Sequence, residues 1–166
     1  MGVDAITTGD NPVSVMRMGN LAFGQMIQQA SGLPCVAHLS CRDRNLLGIQ
    51  SYLLAAHAMN IHHVLAITGD PSRVGDQPGA SSVYDLNSFG LIELITQFNC
   101  GYNHAGMDLG HPTQFTIGVA LNQGSRNLQT RIDRLERKCQ IGAHFSMTQP
   151  VFDPEMILRI QKLTEP

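Results

Sequence analysis

The apolar run His63 to Thr68 ends in Thr68-Gly69-Asp70-Pro71. A strand that closes on a small residue, then glycine, then a carboxylate lets a ligand approach the backbone and leaves the acid at the strand end. An Asp-Pro turn capping the next element uses the same residues, and both readings stay open. His38 follows the strand-like Pro34-Cys-Val-Ala37 and precedes Leu39-Ser-Cys41. Its imidazole either donates a hydrogen bond to a ring heteroatom of a ligand or is a satisfied core histidine. Gln149 ends the last apolar run, in Thr148-Gln-Pro-Val-Phe152. A primary amide offers both donor and acceptor, which suits the edge of a pterin or similar heterocycle, or a turn backbone.

The stretch from 127 to 141 reads as a helix with two faces. At ~100° per residue, Leu128, Ile132, Leu135 and Cys139 form a sheet-facing stripe. Arg131, Arg134 and Lys138 share a separate sector beside it. Arg137 lies away from both and is placed to pair with Asp133 at i,i+4. Only two lysines occur in the chain, Lys138 and Lys162, so three cations in one sector keep a phosphate-binding role in view beside that of a solvated face. Met16, Met18 and Met26 read as core filler. No histidine pair has metal-ligand helical spacing, and Cys35, His38 and Cys41 match no common zinc pattern. No metal site is expected. The four cysteines read as reduced, buried thiols of a cytoplasmic protein.

A net charge of -2 speaks against a nucleic-acid-binding module. No apolar run reaches the ~18 residues of a membrane span, and the start of the chain reads as a strand pattern rather than a signal peptide. With 166 residues, one domain with a sizeable core is available, well short of the ~250 residues of a complete eight-stranded β/α barrel.

Five strand-like runs, over 3–8, 34–39, 63–68, 115–121 and 144–149, alternate with helical patterns over about 14–30, 45–59, 87–99, 127–141 and 154–163. Strict βα alternation with near-continuous apolar strands implies an α/β fold on a parallel sheet. A doubly wound sheet would carry a glycine-rich turn after its first strand, and Gly9-Asp-Asn-Pro12 is no such turn. Polar residues instead gather where the strands end: Thr8, Asp10, His38, Thr68, Asp70, Asn122 and Gln149. Barrel active sites are assembled from that rim, which favours a TIM (β/α)8 barrel in part, as five consecutive units of one.

Five segments, in order, resemble the methylenetetrahydrofolate reductase family: Ala37-His-Leu-Ser-Cys-Arg-Asp-Arg-Asn45, Val64-Leu-Ala-Ile-Thr-Gly-Asp-Pro71, Ser82-Val-Tyr-Asp-Leu-Asn-Ser-Phe-Gly-Leu91, Ile117-Gly-Val-Ala-Leu-Asn122 and Gly142-Ala-His-Phe-Ser-Met-Thr-Gln-Pro-Val-Phe-Asp153. The first and fourth look most like the reductase half of bifunctional homocysteine S-methyltransferase/methylenetetrahydrofolate reductases. The resemblance implies a barrel that binds FAD at its C-terminal rim and reduces 5,10-methylenetetrahydrofolate with NAD(P)H as co-substrate. Residues 1–166 would be the central part of that domain, about strands 2–6. By position, His38, Thr68, Gly69, Asp70, Tyr84 and Asp85 would contact the flavin, and Arg131, Arg134 and Lys138 would hold its phosphates and ribityl chain. Asp70 would be the catalytic residue, facing the folate and tuning the flavin's electrostatics. Gln149 would touch the folate ring.

The family pattern begins with an earlier strand carrying a glutamate that acts as proton donor, and this chain starts after it. The expected partners are therefore the folate and the remainder of the barrel, with a homocysteine methyltransferase domain and a homo-oligomer both compatible. Nucleic acid and membrane are not expected. The alternatives are a flavin- or nucleotide-binding module without catalysis and a doubly wound regulatory domain without a cofactor. Taken alone, the 166 residues are expected to aggregate through open sheet edges, to bind flavin weakly and to lack reductase activity.

Overall fold

Four of the helix starts are set by short polar side chains. Asn45 accepts a hydrogen bond from the Gly48 N–H, Asn87 from Phe89 and Gly90, Asn127 from Thr130, and Asp153 from Glu155. Each satisfies a donor that the first helical turn leaves without a partner. In the computed structural model, which describes residues 2–165, the order is β1 (Ile6–Thr8), α1 (Asn20–Ser31), β2 (Cys35–Ser40), α2 (Leu46–Ala58), β3 (His63–Ile67), α3 (Ser88–Asn99), β4 (Thr116–Leu121), α4 (Leu128–Ile141), β5 (Phe145–Thr148) and α5 (Pro154–Thr164).

The strands form one parallel sheet in the order β1-β2-β3-β4-β5. A doubly wound sheet reverses its strand order partway, which sends helices to both faces. Sequential order with right-handed crossovers sends every helix to the same face. The result is a half-barrel arc, as the clustering of polar residues at strand ends implies.

The register separates the two faces. Ala37, Leu39, Val64, Ala66, Ile117 and Val119 belong to the main core, packed with Ile49, Leu53, Leu91, Ile95 and Phe98 of α2 and α3. The alternate residues form continuous rows across the other face. Thr7 pairs with Val36, His38 with Leu65, Leu65 with Gly118, and Gly118 with Phe145. A second, smaller core joins Leu121, Leu128 and Ile132 to Met156, Ile160 and Leu163.

Several expectations are corrected. The helix expected from about residue 14 starts at Asn20. A 3-10 turn occupies Pro12–Ser14, and Asn11, Val13 and Ser14 have positive φ (44°, 55° and 59°). Such backbone breaks a helical path. The segment is tied elsewhere: the Arg17 N–H donates to Asn11 Oδ1 at 2.9 Å and the Met16 N–H to Asp76 Oδ1 at 3.2 Å. Met16 and Met18 are consequently not core but 65% and 62% exposed, and Met26, on the outer side of α1, is 57% exposed. Of the cysteines, Cys35 and Cys41 are buried, whereas Cys100 and Cys139 are exposed; all four are free thiols. Cys139 therefore drops out of the α4 stripe, and Arg137 sits over the Phe89 ring at 5.2 Å instead of pairing with Asp133. No helix is long and apolar enough to cross a membrane among the described residues.

Gly118 has no room for a side chain. A Cβ there would lie 2.3 Å from Cζ of Phe145, which covers it from the neighbouring strand. Gly118→Ala is expected to destabilise the protein by about 1–3 kcal/mol, the usual cost of overpacking. Urea unfolding of Gly118→Ala alone and with Phe145→Leu checks this, and the second change should restore part of the loss.

Candidate active site

The loop after β3 is held by its carbonyls. Three neighbouring side chains donate to three consecutive backbone oxygens. Ser40 Oγ reaches the Thr68 carbonyl at 3.5 Å, the Tyr84 hydroxyl reaches that of Gly69 at 3.1 Å, and Arg42 Nη1 reaches that of Asp70 at 3.2 Å. Gly69 is required twice over. Its φ is +85°, and a Cβ would overlap Ser40 Oγ at 2.1 Å. The Asp70 side chain is exposed, and among the described residues its carboxylate has no protein partner within hydrogen-bond or ion-pair distance.

Arg42 is the side chain that the residue-type reading passed over. It is 1% exposed. Its guanidinium makes a two-pronged ion pair with Asp43, and Nη2 also donates to the Asn11 carbonyl at 3.0 Å. The loops after β1, β2 and β3 thus meet on one buried cation. Next to it, Arg44 grips Asp10 at 2.6 and 3.1 Å, and Asp10 accepts from the Ser40 N–H at 3.0 Å. The Arg44 guanidinium lies 4.7 Å over the Tyr52 ring. The hydrogen bond from Arg42 holds the Asp43 carboxyl below the usual carboxylate range. The only trace of this network in the sequence is the Arg-Asp-Arg run itself.

His38 lies on the face away from the main core, half-buried, with Nε2 2.7 Å from Thr7 Oγ1. Burial lowers its pKa, and the attraction of Asp10 opposes the shift. The side chain is thus kept mainly neutral, with one ring nitrogen engaged by Thr7 and the other available. Burial also pushes the Cys41 thiol up to about 11, which leaves it an unreactive core group.

Between the ends of β3 and β4 opens a cleft of about 210 Å³, lined by Thr68, Ser88, Asn122, Arg131, Arg134 and Lys138 above the apolar Ala66, Ile67 and Leu121. The basic sector of α4 therefore converges on the loop carrying Thr68. Among the described residues none of these three cations has a carboxylate within 4.0 Å, since the ion pairs present are Arg42–Asp43 and Arg44–Asp10. Arg134 and Lys138 instead lie over the Phe89 ring at 5.0 and 5.7 Å. Lys138 is buried, and burial, then the nearby charge of Arg134, holds its pKa below the ordinary lysine value. Cations without a protein carboxylate at a cleft have the chemistry to meet an anionic group.

The remaining candidates lie outside this cleft. Asp85 accepts from the Leu46 N–H at 2.8 Å, so its carboxylate serves the start of α2. Tyr84 has its hydroxyl on the Gly69 carbonyl and its ring against the core. The exposed Gln149 has its backbone in the grip of the buried Gln123, described below. No group of three or more metal-ligating side chains is present among the described residues.

The family model for methylenetetrahydrofolate reductase matches residues 5–165. The chain is 26% identical over 157 residues to the 5,10-methylenetetrahydrofolate reductase of Buchnera aphidicola, covering 95% of this chain and 48% of that protein. It is 24% identical over 139 residues to the 5,10-methylenetetrahydrofolate reductase of Pectobacterium carotovorum, covering 81% and 40%. A probable methylenetetrahydrofolate reductase (NADPH) of Caenorhabditis elegans is 23% identical over 154 residues, covering 89% and 21%. The chain thus spans about half, or less, of the length of these relatives. In fold it is similar to 2,3-dimethylmalate lyase, a member of the PEP mutase/isocitrate lyase superfamily, with a TM-score of 0.56 at 12% identity over 86% of this chain and 45% of that one.

Two outcomes test this site. Arg42→Met strands the Asp43 carboxylate and the carbonyl oxygens of Asn11 and Asp70, and is expected to cost about 3–5 kcal/mol in urea unfolding. Lys138→Met should have the opposite sign at neutral pH. The folded pKa of Lys138 lies below its unfolded value, so its penalty is full at low pH, shrinks as pH rises through the folded pKa, and vanishes above the unfolded value near ~10.4. The wild type is expected to gain stability on alkalinisation, and Lys138→Met to lack that gain.

Proposed function

Because the chain belongs to the methylenetetrahydrofolate reductase family, we propose that it forms part of the site at which an FAD-dependent enzyme reduces 5,10-methylenetetrahydrofolate to 5-methyltetrahydrofolate with NAD(P)H. The observation that carries this reading is the convergence of Thr68 with the carboxylate-free Arg131, Arg134 and Lys138 on one cleft. That donor set fits the phosphates of a dinucleotide, and the cleft has the volume for such an end group but not for the whole of FAD. When bound, FAD supplies the hydride transfer between the nicotinamide and the folate.

The chain's own residues bind and orient. Arg134 and Lys138 neutralise phosphate charge; a bound anion also offsets the cost of keeping Lys138 protonated. The Thr68–Asp70 loop presents a carboxylate on a backbone that its neighbours immobilise, so the charge of Asp70 acts from a fixed place. A fixed anion there would raise the cost of placing further negative charge on a flavin held by this rim, and so would favour passing the hydride on. His38 in neutral form and the amide of Gln149 supply hydrogen-bonding groups without net charge.

The Cys41–Asn45 and Leu121-Asn122 segments, which resemble the bifunctional enzymes, extend the proposal to work alongside a homocysteine S-methyltransferase activity, in methionine supply in the cytoplasm. The rest of the barrel is its structural partner.

Rapid-mixing kinetics on the holoenzyme test the assignment. Asp70→Asn is expected to slow folate reduction at least tenfold while changing flavin reduction by NAD(P)H several-fold less. Equal effects on both half-reactions would remove Asp70 from the folate side. Loss of the flavin's visible absorbance on purifying Arg134→Ala/Lys138→Ala tests the cleft separately.

A further inference from the structure

The ladder between β4 and β5 ends at the pair Leu121–Thr148. Beyond it the backbone cannot continue the pairing. Pro150 has no N–H to give, and the other chain turns away at Asn122, whose Oδ1 accepts from the Gly124 N–H at 3.1 Å. One side chain takes over. Gln123 is 8% exposed. Its Nε2 donates to the Gln149 carbonyl at 2.9 Å and to the Pro150 carbonyl at 3.3 Å, and its Oε1 accepts from the Gln149 N–H at 3.0 Å.

A primary amide has the donor and acceptor of a peptide group, so Gln123 adds one rung to the sheet with a side chain. Both amide hydrogens and the oxygen are used. A flipped amide would set oxygen against two carbonyls and nitrogen against an N–H, so a single orientation fits. The backbone of Gln149 is thereby fixed on both its polar atoms, while its own side chain is exposed and has no hydrogen bond among the described residues. Nothing in the fold needs that arrangement to close a core. Its effect is to deliver one free amide from an immobile backbone at the strand end.

We propose that Gln123 is a positioning residue for the folate, acting through Gln149. This rests on the reading of Gln149 as a folate-contacting amide given above. The expectation is a split between substrates. Gln123→Leu should raise the KM for methylenetetrahydrofolate about tenfold, with flavin reduction by NAD(P)H within twofold of wild type. Amide hydrogen exchange at Gln149 should accelerate at least tenfold in the same variant.

Gln149→Ala should raise the folate KM by a similar factor, and Gln123→Leu/Gln149→Ala should be no worse than Gln149→Ala, because the two residues act as one unit. Should Gln123→Leu fail to fold, Gln123→Glu makes the same comparison, since it keeps the acceptor and loses both donors at neutral pH. A raised KM in Gln149→Ala with an unchanged KM in the Gln123 variant overturns this inference alone. Losses that multiply in the double variant do the same. An unchanged KM in Gln149→Ala overturns the reading of Gln149 itself, and this inference with it.

Discussion

A guanidinium with almost no contact with water organises this rim. Removing a charge from water is expensive unless its donors are met and a counter-charge lies at hand. Arg42 has Asp43 for charge, and carbonyls of Asn11 and Asp70 from loops 31 and 28 residues away for its remaining donors. The requirement works in both directions. The cation is tolerable only if three loops come to it, and the loops have defined positions only because it is there. Gly69 follows from the same packing, since the loop approaches Ser40 too closely for any side chain.

The second group of cations follows the opposite rule. Arg131, Arg134 and Lys138 are gathered on one cleft with no acid to meet them. Aromatic contact with Phe89 is a partial substitute. Within one molecule, one set of basic residues is saturated by the protein and the other meets no protein carboxylate. That contrast, more than the number of basic residues, separates scaffold from site.

Much of this was legible beforehand, where the relevant physics is local. The alternation of apolar runs and helical patterns fixed five units and a parallel sheet, because burial on both sides leaves strands almost wholly apolar. Asp153 announced the start of α5, and ~100° steps placed Arg131, Arg134 and Lys138 in one sector. What stayed hidden depends on contacts across the chain. The partners of Arg42 are mainly backbone oxygens, and any residue type carries one. Gln123 looks like an ordinary loop glutamine until Gln149 is brought beside it. Met16 and Met18 leave the core because the backbone turns through positive φ at Asn11, Val13 and Ser14, a region that Val in particular usually avoids. Asp85 and Tyr84 turned out to have scaffold partners, which their side-chain chemistry alone does not disclose.

The sequential strand order has one further consequence. Along the C-terminal edge most ties run between neighbouring loops, and the Met16 N–H to Asp76 Oδ1 bond adds one from the first loop to the third. Arg42 welds the first three loops together, and Gln123 welds the last two. Among the described residues no hydrogen bond joins the third loop to the fourth; the contact across that junction is the ring of Phe89 beneath the α4 cations. The cleft lies at this junction of the rim. An anion seated there would touch Thr68 on one side and α4 on the other, and so would act as a bolt, adding across the rim a tie that the β3–β4 ladder supplies only below it.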